Sequence, residues 1–192
     1  GCNVTVPFKK KVISFLDKLS PEAEQTQSVN TITFDNGDLV GHNTDIAGFD
    51  TAIKKLNFKI KDKKVLILGA GGVVPSIIFA LKNMDVQEII ISNRTRKKAE
   101  NLRVLFNNLK ILEWGDLTDF HMVINATSLG LNNETINLDF SSSGHDKLFY
   151  DLIYNPQETR FLKMGKKLGH KTENGKTMFI YQALEAFKLW HK

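Results

Sequence analysis

Val65-Leu66-Ile67-Leu68-Gly69-Ala70-Gly71-Gly72-Val73-Val74 is the stretch that decides the fold. Its first four residues form a short, unbroken apolar run, as in a strand buried on both faces of a parallel sheet. A glycine turn and a helix start follow. Gly69 permits the tight turn, and Gly71 lets backbone come close to a pyrophosphate. The helix start beyond offers unpaired N–H groups and a partial positive charge. The third glycine of G-x-G-x-x-G is absent: Val74 occupies its place, and Gly72 is extra. Glycines alone also fit a plain structural turn. The order strand, turn, helix favours a dinucleotide.

The same pattern repeats outward. Glu88-Ile89-Ile90-Ile91, Met122-Val123-Ile124 and Leu148 to Tyr154 read as further buried strands. Helical segments at Val73–Asn83, Thr95–Asn107 and Glu158–Leu168 separate several of them. Alternating strands and helices predict βαβ units and a parallel sheet. Before the lysine-rich connector Lys59–Lys64 the pattern differs. Val12, Phe15, Leu16 and Leu19 have helical spacing over 11–19, and Ser20-Pro21 reads as an N-cap and first helical residue. Val29–Val40 alternates around Asp35-Asn36-Gly37 and predicts a hairpin. Ile46, Phe49, Ile53 and Leu56 mark one helix face. A last helix is expected over Thr177–Trp190, with Met178, Tyr181, Leu184, Phe187 and Leu189 as its apolar surface.

Composition narrows the class. The 192 residues are 42% hydrophobic and 24% charged, which is ordinary for a globular chain rather than a disordered one. No apolar run approaches the roughly 18 residues of a membrane helix. Cys2 is the single cysteine, so no intrachain disulfide can form, and a reducing compartment, the cytoplasm, is expected. The net charge of +5 suits an anionic small molecule as well as nucleic acid. The lysines scatter over connectors and helices instead of interleaving with aromatics, which disfavours nucleic acid. Neither a membrane partner nor a metal site is expected. The chain opens Gly1-Cys2-Asn3, without an initiator Met, and reads as part of a longer protein.

The second strand refines the cofactor. NAD-binding folds place an acid at its end for the ribose hydroxyl. Here the strand ends Ser92-Asn93-Arg94-Thr95. An acid would repel a 2′-phosphate, whereas Arg94 can pair with one and Thr95 can hydrogen-bond it, so NADP is expected over NAD. Asn125-Ala126-Thr127-Ser128 follows another strand, where small polar residues can line a cofactor or simply form a turn. Outside this region, Asn3-Val4-Thr5-Val6-Pro7-Phe8-Lys9 and Asn43-Thr44-Asp45 carry polar groups. Taken singly, Asp45 reads as an N-cap of the helix opened by Ile46, and Lys9 as a surface lysine. Brought together, they would form a proton-transfer pair. Spacing does not say whether they meet.

In chain order, several segments resemble the shikimate dehydrogenase family. They are Asn3–Lys9, Val29-Asn30-Thr31, Gly41 with Asn43-Thr44-Asp45, Gly69-Ala70-Gly71-Gly72, Asn93-Arg94-Thr95, Asn125-Ala126-Thr127, Tyr150-Asp151-Leu152-Ile153-Tyr154-Asn155-Pro156, and Gly175–Gln182 with Phe187 and Trp190 beyond. The resemblance covers the whole chain. It implies an α/β protein with a Rossmann-like parallel-sheet NADP-binding domain, taken as 45–175, and an incomplete α/β substrate-binding domain from 1–44 and 176–192. It implies NADPH-dependent reduction of 3-dehydroshikimate to shikimate, with Lys9 and Asp45 catalytic and with Thr5, Asn30, Tyr154 and Gln182 on the substrate. Gly69, Ala70, Gly71, Gly72, Asn93, Arg94, Thr95, Asn125, Ala126, Thr127, Ile153, Gly175 and Met178 would contact the cofactor. A monomer or homodimer is expected, with two lobes closing over the reactants.

There are departures from the family pattern. The family has a further segment before Asn-Val-Thr, with a first strand and two serines that hold the substrate carboxylate. Its absence here implies a chain that binds NADP better than shikimate and turns over poorly. Ile46 stands where glycine is common, Ser28 where a small apolar residue is, and Leu131 where Met is. Two alternatives follow. One is an NADP-binding fragment without activity. The other is a quinate/shikimate relative, which Arg94-Thr95 disfavours because such relatives tend to carry an acid there.

Overall fold

The computed structural model describes residues 1–132 and 134–191. The elements run β1 (Cys2–Asn3), β2 (Lys18–Leu19), α1 (Pro21–Thr26), β3 (Thr31–Asp35), β4 (Asp38–His42), α2 (Asp45–Lys55), β5 (Lys64–Leu68), α3 (Val74–Asn83) and β6 (Glu88–Ser92). They continue with α4 (Arg96–Asn101), β7 (Leu109–Leu112), β8 (Met122–Asn125), β9 (Leu148–Asp151), α5 (Arg160–Lys167), β10 (Lys171–Asn174) and α6 (Lys176–Trp190). They form two compact units. The first holds residues 1–58, 72–82 and the chain from Thr177 onward; the second holds 59–71 and 83–176. The sequence division at 44/45 and 175/176 differs: α2 and most of α3 belong by packing to the first unit.

In the first unit, β1, β3, β4 and β2 lie side by side in that order. The β3–β4 hairpin turns at Asn36 and Gly37, whose φ values of 50° and 95° give the left-handed pair that a two-residue turn requires. Ser20 caps α1 by accepting from Ala23 N, with Pro21 as its first residue, as the sequence predicts. The helix expected over 11–19 does not form. A 3₁₀ turn covers Lys11–Phe15, Leu16 is extended, and Lys18 and Leu19 pair in parallel with Val40 and Gly41. The cause is tertiary. Leu16 and Leu19 pack against the core of Ala23, Val29 and Ile32. They fit because Gly41 lacks a side chain: a Cβ there would stand 2.5 Å from Leu16 Cδ1 and 2.9 Å from Leu19 Cδ2.

The second unit is built on a six-stranded parallel sheet in the order β10-β9-β8-β5-β6-β7. The chain starts in the middle at β5, winds outward through β6 and β7, then returns to β8 beside β5 and winds the other way. This is the doubly wound arrangement that the alternating pattern predicts. β7 and β10 were not legible as strands. β10 reads Lys-Thr-Glu-Asn and sits at the sheet edge, where burial does not demand an apolar run. The segment expected as a helix over 95–107 shortens to α4 followed by a 3₁₀ turn at Leu102–Val104. The strand expected over 148–154 stops at Asp151. Leu66, Leu68, Ile90 and Val123 form the core with Phe120, Phe140, Phe149 and Phe161. The rings of Phe140 and Phe149 meet edge to face at 5.1 Å.

His170 closes this core. It is buried and stacks on Phe149 at 5.1 Å, its Nε2 is 3.0 Å from Ser143 Oγ, and its Nδ1 has no partner among the described residues. Burial, with Lys147 nearby, pushes its pKa below the ordinary histidine value. A folded pKa below the unfolded one means the unfolded chain binds more protons. His170 therefore stabilises the fold above about pH 6.5, and that contribution is lost as the pH falls toward its folded pKa. Urea unfolding at pH 7, 6 and 5 should show stability falling less steeply in His170→Phe than in the wild type; parallel slopes would contradict this assignment.

Candidate active site

The turn at Val6–Pro7 contains a cis peptide bond, and Phe8 N donates to Thr5 O at 2.8 Å. Beyond it, Val29 N donates to Lys9 O at 2.9 Å, which ties Lys9 beside Asn30. Lys9 Nζ donates to Asp45 Oδ2 at 2.5 Å, and their side chains are only 12% and 7% exposed. Lys9 is thus not the surface lysine it suggests when read alone. Nor is Asp45 a cap: Thr44 is the N-cap, and Asp45 is the first helical residue of α2. A carboxylate there gains from the helix dipole.

Asn30 ties the pair together. Its Nδ2 donates toward Thr44 Oγ1 at 2.9 Å, Asp45 Oδ1 at 3.0 Å and Gln182 Oε1 at 3.3 Å. Its Oδ1 accepts from Thr44 N at 2.8 Å. Gln182 reaches this group because α6 comes close to α2 at Gly48. A Cβ at Gly48 would stand 2.8 Å from Met178 O and 2.9 Å from Gln182 Cβ. Met178 is buried there, and Thr5 is exposed on the turn leading to Lys9. Four residues named from sequence therefore converge: Lys9, Asn30, Asp45 and Gln182. Thr44 and Gly48 were missed. Thr44 lay inside a quoted segment, but a glycine within a helix reveals a close approach only after the partner helix is known.

The second unit places the other named residues at the carboxyl edge of its sheet. Gly69 has φ +116°, and a Cβ on it would stand 2.7 Å from Ala126 O. Gly69 N donates to Ser92 O and Ala126 N to Leu68 O, each at 2.8 Å, so the ends of β5, β6 and β8 are knitted together. A Cβ on Gly71 would meet only Ala126 O, at 3.9 Å, and one on Gly72 nothing within 4 Å. The backbone at 71–72 is bare, as close approach of a phosphate requires. Ala70, the residue between, is half-buried. Strand order reverses between β5 and β8, which makes this edge the ligand-binding position of a doubly wound sheet.

Asn93 Nδ2 donates to Thr95 O at 2.8 Å, shaping the turn from which Arg94 and Thr95 project into solvent. Arg96 is held by Glu100 and Glu113, whereas Arg94 makes no ion pair among the described residues. Asn125 Oδ1 accepts from Thr127 N at 3.0 Å and from Thr127 Oγ1 at 2.7 Å. Ile153 is buried, and Tyr154 is exposed. Gly175 N donates to Ile153 O at 3.2 Å, and a Cβ on Gly175 would overlap Leu152 O at 2.1 Å. The bare glycine backbone and the unpaired Arg94 guanidinium fit a dinucleotide carrying a further phosphate.

Removing the Asn30 side chain leaves Thr44 N and Asp45 Oδ1 without their partner. Asn30→Ala should lower the unfolding free energy by about 1–3 kcal/mol in urea titrations.

Residues 1–32 match the family model described as the shikimate dehydrogenase substrate binding domain, and residues 50–136 match the one described as shikimate / quinate 5-dehydrogenase. The chain is 55% identical over 193 residues to the shikimate dehydrogenase (NADP(+)) of Pelagibacter ubique, covering 100% of this chain and 73% of that protein. Among solved structures it is similar to Listeria monocytogenes shikimate 5-dehydrogenase in complex with shikimate and NAD, at 33% identity and a TM-score of 0.89, over 99% of this chain and 72% of that one. It is equally similar to shikimate 5-dehydrogenase from Thermus thermophilus in complex with NADP(H) and shikimate, with 34% identity, a TM-score of 0.89, and 98% and 71% coverage.

Proposed function

From the premise that this chain belongs to the shikimate dehydrogenase family, NADP-dependent oxidoreductases of the shikimate pathway, we propose that Lys9 and Asp45 are its proton-transfer pair. The observation that carries the reading is the 2.5 Å contact between a half-buried lysine and a buried aspartate 36 residues apart. A buried charge pair is costly to keep unless it has work to do or is fully hydrogen-bonded. Here Asp45 has a second partner in Asn30, while Lys9 keeps two further N–H donors.

The reaction is the interconversion of 3-dehydroshikimate and shikimate. NADPH, when bound, supplies the hydride to the substrate carbonyl. Negative charge grows on the carbonyl oxygen as the hydride arrives. Lys9 Nζ stabilises that charge and delivers a proton, so carbonyl, hydride and proton together become the hydroxyl. In reverse, neutral Lys9 takes the hydroxyl proton. Asp45 orients the Lys9 ammonium and offers its carboxylate to a substrate hydroxyl. Asn30 and Gln182 hold polar groups beside this pair, and Thr5 and Tyr154 extend the substrate contacts. Asn93, Arg94 and Thr95 take the 2′-phosphate, and Gly69–Gly72 the pyrophosphate. Gly175 and Met178 serve the nicotinamide end, and Asn125, Ala126, Thr127 and Ile153 contact the cofactor. The substrate-binding part centres on the first unit and the NADP-binding part on the second.

Two substitutions test these assignments. Lys9→Ala should lower kcat/KM for shikimate by about 100- to 10,000-fold, with NADP+ affinity retained in a fluorescence titration. Unchanged turnover would remove Lys9 from the chemistry. Arg94→Ala should raise KM for NADP+ about tenfold or more and leave KM for NAD nearly unmoved, since one charged hydrogen-bonding partner is lost from the phosphate.

A further inference from the structure

Two carboxylates are buried among the described residues, Asp45 and Asp151. Asp45 has Lys9. Asp151 has no cation: it makes no ion pair among the described residues, and its relative exposure is 0%. It stands at the last position of β9, on the carboxyl edge of the sheet. Its Oδ1 accepts from Asn125 Nδ2 and from Ile153 N, each at 3.0 Å, and its Oδ2 accepts from Thr159 Oγ1 at 2.6 Å.

Two of these three bonds have a fixed direction. Backbone N–H and amide NH2 groups can only donate. The Asn125 amide is oriented by Thr127, whose N and Oγ1 both donate to its Oδ1. Thr159 Oγ1 accepts from Leu162 N at 3.3 Å at the start of α5 and donates to Asp151 Oδ2 at 2.6 Å. Three donors thus surround Asp151, the set that a carboxylate anion accepts. Burial raises its pKa above the ordinary carboxylate value, and the three hydrogen bonds oppose that rise.

This charge sits among residues assigned to the cofactor, one of which, Gly175, is assigned to its nicotinamide end. Asn125 and Ile153 bond it directly, Thr127 bonds Asn125, and Gly175 bonds Ile153 O. A nicotinamide ring is cationic when oxidised and neutral when reduced. We propose that Asp151 is a positioning and electrostatic residue whose uncompensated carboxylate favours NADP+ over NADPH at this edge of the sheet. The inference rests on the placement of the cofactor given above. Charge matters here because a buried site screens it less than water does. The same carboxylate joins the loops after β8 and β9, so it also shapes the surface the ring lies on.

The test is the ratio of two affinities, measured on the full chain by fluorescence titration or calorimetry with NADP+ and NADPH separately. In Asp151→Asn the Kd for NADP+ should rise about fivefold more than the Kd for NADPH. Thr159→Val removes one hydrogen bond but keeps the charge, so its ratio should match the wild type. Equal weakening of both forms in Asp151→Asn, or no change in either, overturns the proposal, because a purely structural role moves the two affinities together. If Asp151→Asn does not fold, the double variant Asp151→Asn/Thr159→Val, which also removes the donor facing the new amide, reads the same ratio. A wild-type chain that binds neither form would instead sink the placement of the cofactor.

Discussion

A half-buried lysine and a buried aspartate must meet, or each alone would be costly to withdraw from water. Desolvating one ion costs several kcal/mol, and only a close partner with further hydrogen bonds offsets it. Lys9 and Asp45 meet that condition at 2.5 Å, and much of the first unit is arranged to let them. The Lys9 backbone is pinned to Val29, Asn30 bridges Thr44 and Asp45, and Gly48 lets α6 approach until Gln182 joins the network.

The second unit handles polarity at the other extreme. Its parallel sheet buries apolar strands, yet each strand end must satisfy backbone groups and still leave donors for a ligand. Gly69 and Ala126 bridge neighbouring strand ends through their backbones. Asn125, Asp151 and Thr159 do so through side chains, without a compensating cation among the described residues. The two buried acids thus have different electrostatic consequences. Asp45 has its charge balanced by Lys9, whereas Asp151 makes no ion pair among the described residues and meets three hydrogen-bond partners instead.

Legibility followed the range of the physical signal. The core of β5, the glycine turn, the β3–β4 hairpin and the Ser20-Pro21 cap were readable because each is encoded within about ten residues by periodicity or turn chemistry. The segment 11–19 misled for the opposite reason. Its apolar spacing is helical, but a side-chain gap at Gly41 and a free position beside β4 offered Leu16 and Leu19 better burial as extended chain. β10 left no trace, since an edge strand needs pairing more than it needs apolar side chains. In the site, Lys9, Asn30, Asp45 and Gln182 lie in segments that resemble the family, while neither Gly48 nor the burial of Asp151 has a local signal in the sequence.

The linear chain determined the parallel sheet, the dinucleotide turn, the absence of an acid after β6 and the set of polar residues available for chemistry, because residue type and local spacing suffice for these. Only the tertiary structure decided that Lys9 touches Asp45, that Asn30 bridges to Gln182 across 152 positions, and that Asp151 is buried with three hydrogen-bond partners and no ion pair among the described residues. Those facts depend on which distant segments pack together, and packing is settled by the burial of the whole core rather than by any stretch of sequence.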